Sequence, residues 1–366
     1  MINCCEILIY YIRNQLSSYI SIMARAKKKK SHLGLYVLLV IIAMLLLGVY
    51  KIFGPNTGKL IQGEYLYIHT GADYEKVKAA LESGGFVADM TSFDFIAQRV
   101  KIPAHIHAGK YRIKEGMSNF DIIRLLRSGK QTPVKLVINK LRTKKDLILL
   151  LSSNLEADSN SLQQMMRDKT YLSAFGLDTN TVMCGVMPDT YDFFWNTSAD
   201  KAFRKIYKNY ARFWDDARKQ EAKKQELTQQ QVIIIASIVD EETNVNDDKP
   251  KIASVYMNRL QKRMKLQADP TVKFAVGDFT IRRVAGPMLG NTSPYNTYMY
   301  EGLPPGPICT PSVSSIEAVL QAPKTSYLYF CAKEDFSGRS NFASTYDQQL
   351  KNARTYQAAL DAKGIH

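Results

Sequence analysis

Three acidic residues, Asp240, Glu241 and Glu242, end a run that is otherwise almost wholly apolar, "IIIASIVDEET". A carboxyl group that is removed from water keeps its proton to a higher pH than an exposed one. Such a group can donate its proton to a glycosidic oxygen, so the cluster is a candidate for general acid catalysis. The structural alternative is that the three acids only carry the end of a buried helix into water.

The helix that carries these acids is predicted to begin at a T-x-x-Q capping box, Thr228–Gln231. Residues three or four apart lie on the same face of a helix. Glu242 therefore continues the apolar stripe of Ile238 and Val239, whereas the other two acids continue other rows. We therefore expect Glu242 to be the desolvated acid, and we predict that it is the catalytic residue.

Two later segments are predicted to surround this carboxyl group. The first is an amphipathic helix with an exit loop, "LQADPT", and the second is a loop rich in Pro, Gly, Tyr and Asn at 293–312. Amide side chains hydrogen-bond sugar hydroxyls, and aromatic rings stack on the apolar faces of pyranoses. The candidates for holding glycan or stem peptide are Asn258, Arg259, Gln267, Asp269, Tyr295, Asn296 and Tyr329. Each has a structural alternative, which for Asp269 is to fix the loop before Pro270.

An apolar segment near the N-terminus, Leu33–Phe53, is predicted to be a transmembrane helix. Its first 18 residues carry no charge, and at a rise of about 1.5 Å per residue they just cross a bilayer core. The segment is longer than a signal-peptide core and lacks a small-residue cleavage pattern. The basic stretch before it, "ARAKKKK", predicts that the N-terminus is cytoplasmic and that the C-terminal bulk lies outside.

The fold class predicted for the chain is α+β, with one membrane helix, a small module and a larger catalytic domain. Residues 58–130 predict a strand-helix-helix-strand unit that resembles a LysM-like, glycan-binding module, although a structural spacer explains the same pattern. The predicted layout is a cytoplasmic segment at 1–32 (1–22 being a start-site extension or an interfacial segment), the membrane helix at 33–53, the module at 58–130, a helical connecting region at 131–230 and the catalytic domain at 231–360.

The composition narrows the classes of partner and of site. The 366 residues carry a net charge of +15, which suits a chain that meets a polyanion. No zinc-finger spacing, RNP-like motif or Gly-rich phosphate loop occurs, so a membrane surface or a cell-wall polymer is favoured over nucleic acid. The cysteines form no C-x-x-C pair, so structural zinc is not predicted, and no cofactor is predicted either. Cys184, Cys309 and Cys331 are expected to be free thiols, with a Cys309–Cys331 bridge as the alternative.

Five segments occur in a fixed order: "ASIVDEET", "ASVYMNRL", "LQADPTV", "SPYNTYMYEGLPPGPI" and "YLYF". With them the chain resembles the endolytic murein transglycosylases of the YceG-like family over residues 58–359, most closely over 236–330. The resemblance implies an inner-membrane enzyme whose outer domain cuts peptidoglycan glycan strands internally. It also implies a LysM-like module before the catalytic domain and contact with penicillin-binding proteins.

The family's catalytic Glu is the second acid of an E-x-E-T pattern, and the corresponding residue here is Glu242. Asp240 stands in place of the first Glu, which keeps a negative charge on a shorter side chain. Two positions depart from the family. Asn341 lies where the family usually has the His of an H-x-F stretch, and Gln349 lies where a later His is common. The resemblance therefore implies that any role of those histidines is absent or reassigned in this chain.

The resemblance implies a lytic reaction rather than a hydrolysis. Glu242 would protonate the oxygen that links N-acetylmuramic acid to N-acetylglucosamine, and would then take the proton of the muramic acid C6 hydroxyl as that oxygen closes on C1. The product is a 1,6-anhydro end, and one carboxyl group serves both steps. The first alternative is a non-catalytic, membrane-anchored peptidoglycan-binding scaffold, which the missing histidines favour. The second is a hydrolytic muramidase, which would leave reducing ends.

Overall fold

The structure is a computed structural model that describes residues 32–281 and 283–364. The predicted cytoplasmic segment, including residues 1–22, lies outside the described residues except for His32. The first helix, α1 (His32–Phe53), has no buried residue, and it alone among the described helices is long and apolar enough to cross a membrane. The chain mixes helix and sheet as predicted, and α1 is compatible with a single-pass anchor.

The described residues form two compact units: unit 1 is the chain up to Pro133 with Phe194–Asn196, and unit 2 is the remainder. Unit 1 contains two antiparallel strands with two helices between them, the predicted order, and a third helix after them. Its elements are β1 (Tyr65–Ile68), α2 (Tyr74–Ser83), α3 (Met90–Arg99), a 3-10 turn (Ile102–Ala104), β2 (Gly109–Arg112) and α4 (Asn119–Ser128). The likeness of this unit to a LysM module stays a prediction.

Local signals placed α4 correctly. Ser118 is its N-cap, and a capping box joins the Ser118 and Asp121 side chains to each other's backbone N–H groups. Gly129 ends the helix in the left-handed region with φ +64°, a conformation that glycine adopts without steric cost. Both ends of the helix were therefore predictable from the sequence.

Contacts fasten the end of α1 to the folded part of unit 1. Lys51 Nζ pairs with Asp89 Oδ2 at 2.6 Å, and the carbonyl of Lys51 accepts a hydrogen bond from Asn119 Nδ2 at 2.8 Å. The Phe53 ring packs against Phe120 with 5.3 Å between the ring centroids. The end of α1 is thus joined to the rest of unit 1 by side-chain contacts as well as by the backbone.

Unit 2 is mainly helical and contains two small antiparallel sheets. One sheet pairs β3 (Val134–Ile138) with β4 (Asp189–Phe193), and the other pairs β5 (Tyr329–Ala332) with β6 (Ser340–Ala343). Its helices are α5 (Lys144–Asn154), α6 (Ser159–Met165), α7 (Lys169–Ser173), α8 (Ala199–Phe213), α9 (Asp216–Lys224), α10 (Gln229–Glu242), α11 (Lys249–Gln261), α12 (Asp269–Val276), α13 (Val313–Leu320) and α14 (Tyr346–Ala362), with 3-10 turns at Val182–Gly185 and Gly286–Gly290. The β3–β4 pair lies in the region 131–230 that was predicted to be helical, and it is a difference from that prediction.

Helix α10 is the centre of the unit 2 core. It begins at the predicted capping box, in which Thr228 and Gln231 bond each other's backbone N–H groups. Nine consecutive residues, 232 to 240, are buried, and the helix packs against α11, α12 and α13. A helix that is covered on all sides is apolar all round, which explains the weak amphipathicity of this segment.

The cysteines in the described residues are free thiols. Cys184 and Cys309 are buried, and Cys331 is half-buried. The prediction of free thiols is confirmed for these three, and the alternative Cys309–Cys331 bridge is not formed.

Candidate active site

Asp240 is a buried structural anion. Its carboxylate accepts hydrogen bonds from Ser312 Oγ and Ser315 Oγ, both at 2.5 Å, and pairs with Lys140 Nζ at 2.8 Å and Lys249 Nζ at 3.5 Å. Burial alone would raise its pKa, but the hydrogen bonds from Lys140, Ser312 and Ser315 outweigh it and hold the pKa of Asp240 at about 2. Asp240 therefore fastens the end of α10 to the start of α13 and has no proton to give near neutral pH.

Glu241 is held in an ion-pair cluster. Its carboxylate oxygens lie 3.1 Å from Arg142 Nη2 and 3.2 Å from Lys140 Nζ. Two cations on the segment after β3, Lys140 and Arg142, thus face this side chain. These ion pairs join α10 to that segment.

Glu242 has a different environment from both neighbours. It is half-buried, and its Oε1 accepts a hydrogen bond from the Tyr256 hydroxyl at 2.6 Å. Among residues 32–281 and 283–364, no Lys or Arg forms an ion pair with it. Burial raises the pKa of Glu242 to about 7, and the hydrogen bond from Tyr256 acts in the opposite direction. Near neutral pH this carboxyl group can therefore either donate or accept a proton.

Tyr256 reaches Glu242 from the middle of α11. The side chain is buried, and its ring meets the Phe330 ring edge-on with 6.1 Å between the centroids. Burial, followed by the charge of Glu242, raises the pKa of Tyr256 well above its usual value. The phenol therefore stays protonated and acts as a fixed hydrogen-bond donor to Glu242.

Helix α12 brings two further charges to the site, Asp269 from its first turn and Lys273 from its last. The charge of Asp269 raises the pKa of Glu242 and that of Lys273 lowers it. The two residues are four apart and share one face of α12. Asp269 Oδ1 accepts a hydrogen bond from the Tyr298 hydroxyl at 2.6 Å, and burial together with Asp269 raises the pKa of Tyr298. The charge of Asp269 thus acts on Glu242, and its role in binding substrate stays a prediction.

Arg259 lies beneath the site and bonds mainly to the backbone. Its Nε donates to the carbonyl of Leu328 at 2.6 Å, and its Nη1 donates to the carbonyl of Leu266 at 2.9 Å and to Gln267 Oε1 at 3.2 Å. Its guanidinium carbon lies 5.1 Å from the centroid of the Tyr329 ring. Arg259 therefore fixes the exit loop of α11 and the start of β5 relative to each other, while Gln267 itself is exposed.

Asn258 holds a neighbouring loop. Its Nδ2 donates to the carbonyls of Thr325 and Tyr327, each at 2.9 Å. Both N–H groups of the Asn258 side chain are therefore donated to this loop. The structure thus places Asn258 as a support for the segment that leads into β5.

Tyr295 and Asn296 lie inside the loop that carries Tyr298. Asn296 is fully buried, and its Nδ2 donates to the carbonyls of Leu289 and Asn291 at 3.0 and 2.8 Å. Its Oδ1 accepts the backbone N–H of Tyr298 at 3.0 Å. Tyr295 packs on Phe274 with 4.6 Å between the ring centroids, and burial raises its pKa to about 12. Both residues shape this loop, and neither contacts Glu242 in the described structure.

The two positions that depart from the family lie beyond β5. Asn341, on β6, donates to Glu334 Oε2 at 2.8 Å. Gln349, on α14, donates to the carbonyl of Phe330 at 3.1 Å, whereas its Oε1 is buried without a hydrogen-bond partner. Neither side chain contacts Glu242 in the part of the chain that the structure describes.

Sequence reasoning missed Tyr256, Lys273 and Tyr298. Tyr256 was expected only as an inward-facing core residue of α11, although a buried phenol needs a hydrogen-bond partner, and that requirement is a usable signal. Lys273 follows Asp269 by one helical turn, which is a second signal. For metals, the structure of the described residues contains no group of three or more His, Cys, Asp or Glu side chains that could hold an ion.

The chain is similar to known proteins over most of its length. The sequence profile of the YceG-like family matches residues 66–355. An endolytic murein transglycosylase of Bacillus subtilis (strain 168) is 30% identical over 316 residues, which cover 81% of this chain and 85% of the relative. One of Streptococcus pneumoniae serotype 2 is 24% identical over 319 residues, covering 78% of this chain and 57% of the relative. A crystal structure of a yceG-like protein of Listeria monocytogenes is 28% identical, with a TM-score of 0.52, covering 78% of this chain and 97% of that one.

Proposed function

The chain belongs to the YceG-like family, and from that membership and its site we propose that it is a membrane-anchored lytic transglycosylase that cuts peptidoglycan glycan strands internally. The observation that carries the proposal is the contrast among the three acids. Glu242 has one neutral hydrogen-bond donor and a pKa of about 7, whereas Asp240 is a permanent anion. Only the first of these can exchange a proton with a sugar near neutral pH.

In the first step, protonated Glu242 donates its proton to the oxygen between C1 of N-acetylmuramic acid and C4 of N-acetylglucosamine. The C1–O bond breaks, N-acetylglucosamine leaves with a free hydroxyl, and positive charge develops at C1 and the ring oxygen. The Glu242 carboxylate that remains lies on the same side of the sugar as the departed oxygen and stabilises that charge.

In the second step, the Glu242 carboxylate takes the proton of the C6 hydroxyl of the same muramic acid. The C6 oxygen bonds to C1 and gives the 1,6-anhydro end, and Glu242 has regained the proton that it gave. No water is consumed, and no cofactor is required. A pKa of about 7 suits both steps, because neither protonation state of Glu242 is costly near neutral pH.

Tyr256, Asp269 and Lys273 tune this exchange. The Tyr256 hydroxyl fixes the direction of the Glu242 side chain and stabilises the carboxylate form after proton donation. Asp269 favours the protonated form, and Lys273 favours the charged form. The balance of these effects keeps the carboxyl group usable as an acid and then as a base.

For substrate binding, we propose that the exposed residues Gln267 and Asp269 and the half-buried Tyr329 contact the glycan or its stem peptide at the rim of the site. We propose that Asn258, Arg259, Tyr295 and Asn296 support binding by holding the loops that carry those contacts. This division rests on which side chains spend their hydrogen bonds on the backbone.

For location, we propose that α1 anchors the chain in the bacterial inner membrane with the N-terminus in the cytoplasm and both units outside. The basic stretch "ARAKKKK" before the helix supports this orientation. We also propose that unit 1 is a LysM-like glycan-binding module, which its strand-helix-helix-strand order supports.

The proposal is tested by Glu242→Gln, which keeps the shape of the side chain and removes its titrating proton. Purified full-length protein is incubated with glycan strands, and the strand ends are identified by mass spectrometry. We expect 1,6-anhydro ends from the wild type and a loss of at least about 100-fold in the variant. The matched control is Glu241→Gln, which alters the adjacent acid and should keep most of the activity.

Three results would contradict parts of the proposal. Lytic activity retained by Glu242→Gln would overturn the assignment of the catalytic residue. Reducing ends in place of anhydro ends would identify a muramidase. Binding of strands by the wild type without any cleavage would favour the scaffold.

A further inference from the structure

A second concave site lies in unit 2, away from the residues assigned to catalysis. It is a cavity of about 370 Å³, open on one side, between α5, α6 and the turn that follows α6. Lys144 and Lys145 enter it from the first turn of α5, and Arg167 enters it from the turn after α6. No carboxylate side chain lines it.

The positive charges of this cavity are poorly compensated. Lys144 Nζ donates to the carbonyl of Thr179 at 2.8 Å, and burial together with the charge of Arg167 lowers the pKa of Lys144. Lys145 and Arg167 form no ion pair within residues 32–281 and 283–364. The three cations around this cavity repel each other, and an anion bound among them offsets that repulsion.

Two carboxylates on segments that border the cavity, Asp158 and Asp178, are already engaged. Asp158 accepts the backbone N–H groups of the next helix at 2.9 and 3.0 Å and the Ser161 hydroxyl at 2.5 Å. Asp178 accepts two backbone N–H groups at 2.7 and 2.8 Å, although its charge does act on Lys144. Neither of them lines the cavity, so the cavity keeps an excess of positive charge.

The rest of the lining indicates which kind of anion fits. Ile148 and Met166 supply apolar surface, and Asn160 and Gln163 supply amide groups that both donate and accept hydrogen bonds. A bare phosphate would use the cations and leave this mixed surface unused. A short peptide with free carboxylates and small apolar side chains uses all three kinds of group, since Arg and Lys bind its carboxylates and the amides bind its backbone.

The cavity lies one short chain segment from the catalytic end of α10. Arg142 contacts Glu241, the neighbour of Glu242, and Lys144 follows Arg142 by two residues. Two residues span at most about 8 Å, and an extended pentapeptide spans about 17 Å. A stem peptide is therefore longer than the chain segment that joins the Arg142–Glu241 contact to the cavity.

We propose that the cavity between α5 and α6 binds the carboxylates of a peptidoglycan stem peptide, so that the enzyme selects strands that still carry their peptides. This inference rests on the proposed function and adds the part of the substrate other than sugar. The residues that would confer the selectivity are Lys145 and Arg167, with Lys144 as the half-buried member of the cluster.

The test uses the double variant Lys145→Gln/Arg167→Gln, since both side chains are exposed and neither supports the fold by an ion pair. The matched control, Arg212→Gln/Lys223→Gln, removes the same charges from exposed, unpaired positions on α8 and α9. The kcat/KM of the full-length proteins is measured on strands with stem peptides and on strands from which an amidase has removed them. We expect the cavity variant to lose about tenfold on the first substrate and to match the wild type on the second.

Equal losses on both substrates, or no loss on either, would overturn the proposal. Binding is measured separately by calorimetry on the full chain with N-acetylmuramoyl pentapeptide, with its C-terminal amide and with inorganic phosphate. We expect the free acid to bind more tightly than the amide and the cavity variant to bind it about tenfold more weakly than the control. Phosphate binding more tightly than the peptide would show that the cavity serves a phosphate ligand and would also overturn the proposal. If the wild type cleaves no strand, the proposed function fails, and this binding measurement still decides the cavity.

Discussion

Glu242 differs from its two acidic neighbours in the partners of its carboxyl group. Asp240 accepts hydrogen bonds from two hydroxyl groups and forms ion pairs with two lysines. Glu241 forms ion pairs with a lysine and an arginine, and Glu242 accepts a hydrogen bond from one phenol. Cations and donors favour the charged form of a carboxyl group, whereas burial favours the protonated form. Three adjacent residues of one helix thus acquire separate tasks from their surroundings alone.

The hydrogen bond from Tyr256 predicts the direction in which Tyr256→Phe shifts the pKa of Glu242. The bond stabilises the charged form of Glu242, so its loss raises the pKa of Glu242 above about 7. Because catalysis begins with the protonated acid, kcat/KM falls as pH rises through that pKa. We expect the falling limb in the variant to move to higher pH by up to about one unit, measured from about pH 5 to about pH 9.

The control for this prediction is Tyr191→Phe, which removes the hydroxyl of another buried tyrosine that bonds the carbonyl of Met187 instead. Its falling limb should coincide with that of the wild type. A limb that does not move in Tyr256→Phe, or that moves to lower pH, would show that the phenol does not tune Glu242.

At the scale of elements, the junction between α10 and α13 depends on the Asp240 carboxylate. Asp240→Asn removes the negative charge and leaves the buried Lys249 and the exposed Lys140 with less compensation. Breaking a buried ion pair in this way costs about 3 kcal/mol of unfolding free energy. Urea denaturation of the variant near neutral pH should show this loss.

The pH dependence of that loss checks its cause. The pKa of Asp240 is about 2 in the folded protein and near 4 in an unfolded chain, so its stabilising effect is complete above about pH 4. It disappears as pH falls through about 2, where the wild type also becomes protonated. Glu241→Gln, whose ion pair is more exposed, should cost no more than about 1 kcal/mol. A loss in Asp240→Asn that is independent of pH would point to packing instead of charge.

Elements that depend on neighbouring residues were predictable from the sequence, and those that depend on distant residues were not. The capping boxes at Ser118 and Thr228 and the stop at Gly129 are written within a few residues of each helix end. The phase of α10 pointed to Glu242 as the desolvated acid, but Asp240 is the most buried of the three, because Ser312, Ser315 and Lys249 cover it. By contrast, Ser312 meets Asp240 from 72 residues away, which no local pattern records.

The same reason explains the missed strands and the missed phenol. β3 and β4 pair across about fifty residues of helix and loop, so no turn signal joins them. Tyr256 looked like one more apolar position of α11, because its partner lies on a different helix. The role of the predicted glycan-binding residues stays a prediction, and the sequence does not show which of their polar groups bond to the backbone, because that depends on the folded chain.

At the scale of the whole molecule, the charges before α1 predict how the protein is oriented in the membrane. The basic stretch before α1 predicts that everything after Phe53 lies outside the cytoplasm. In spheroplasts, externally added protease should therefore remove a tag at the C-terminus and spare one at the N-terminus. A cytoplasmic enzyme serves as the control for intact membranes, and protection of the C-terminal tag would reverse the orientation.

The fastening of α1 to unit 1 has a consequence for where cutting happens. A flexible linker would let the outer part of the protein reach different depths of the wall. The contacts of Lys51 and Phe53 instead hold the rest of unit 1 in a fixed position relative to the end of α1. If α1 spans the membrane as proposed, unit 1 is held at a fixed height above the lipid headgroups. We therefore expect any glycan that unit 1 binds to lie within a fixed distance of the membrane surface.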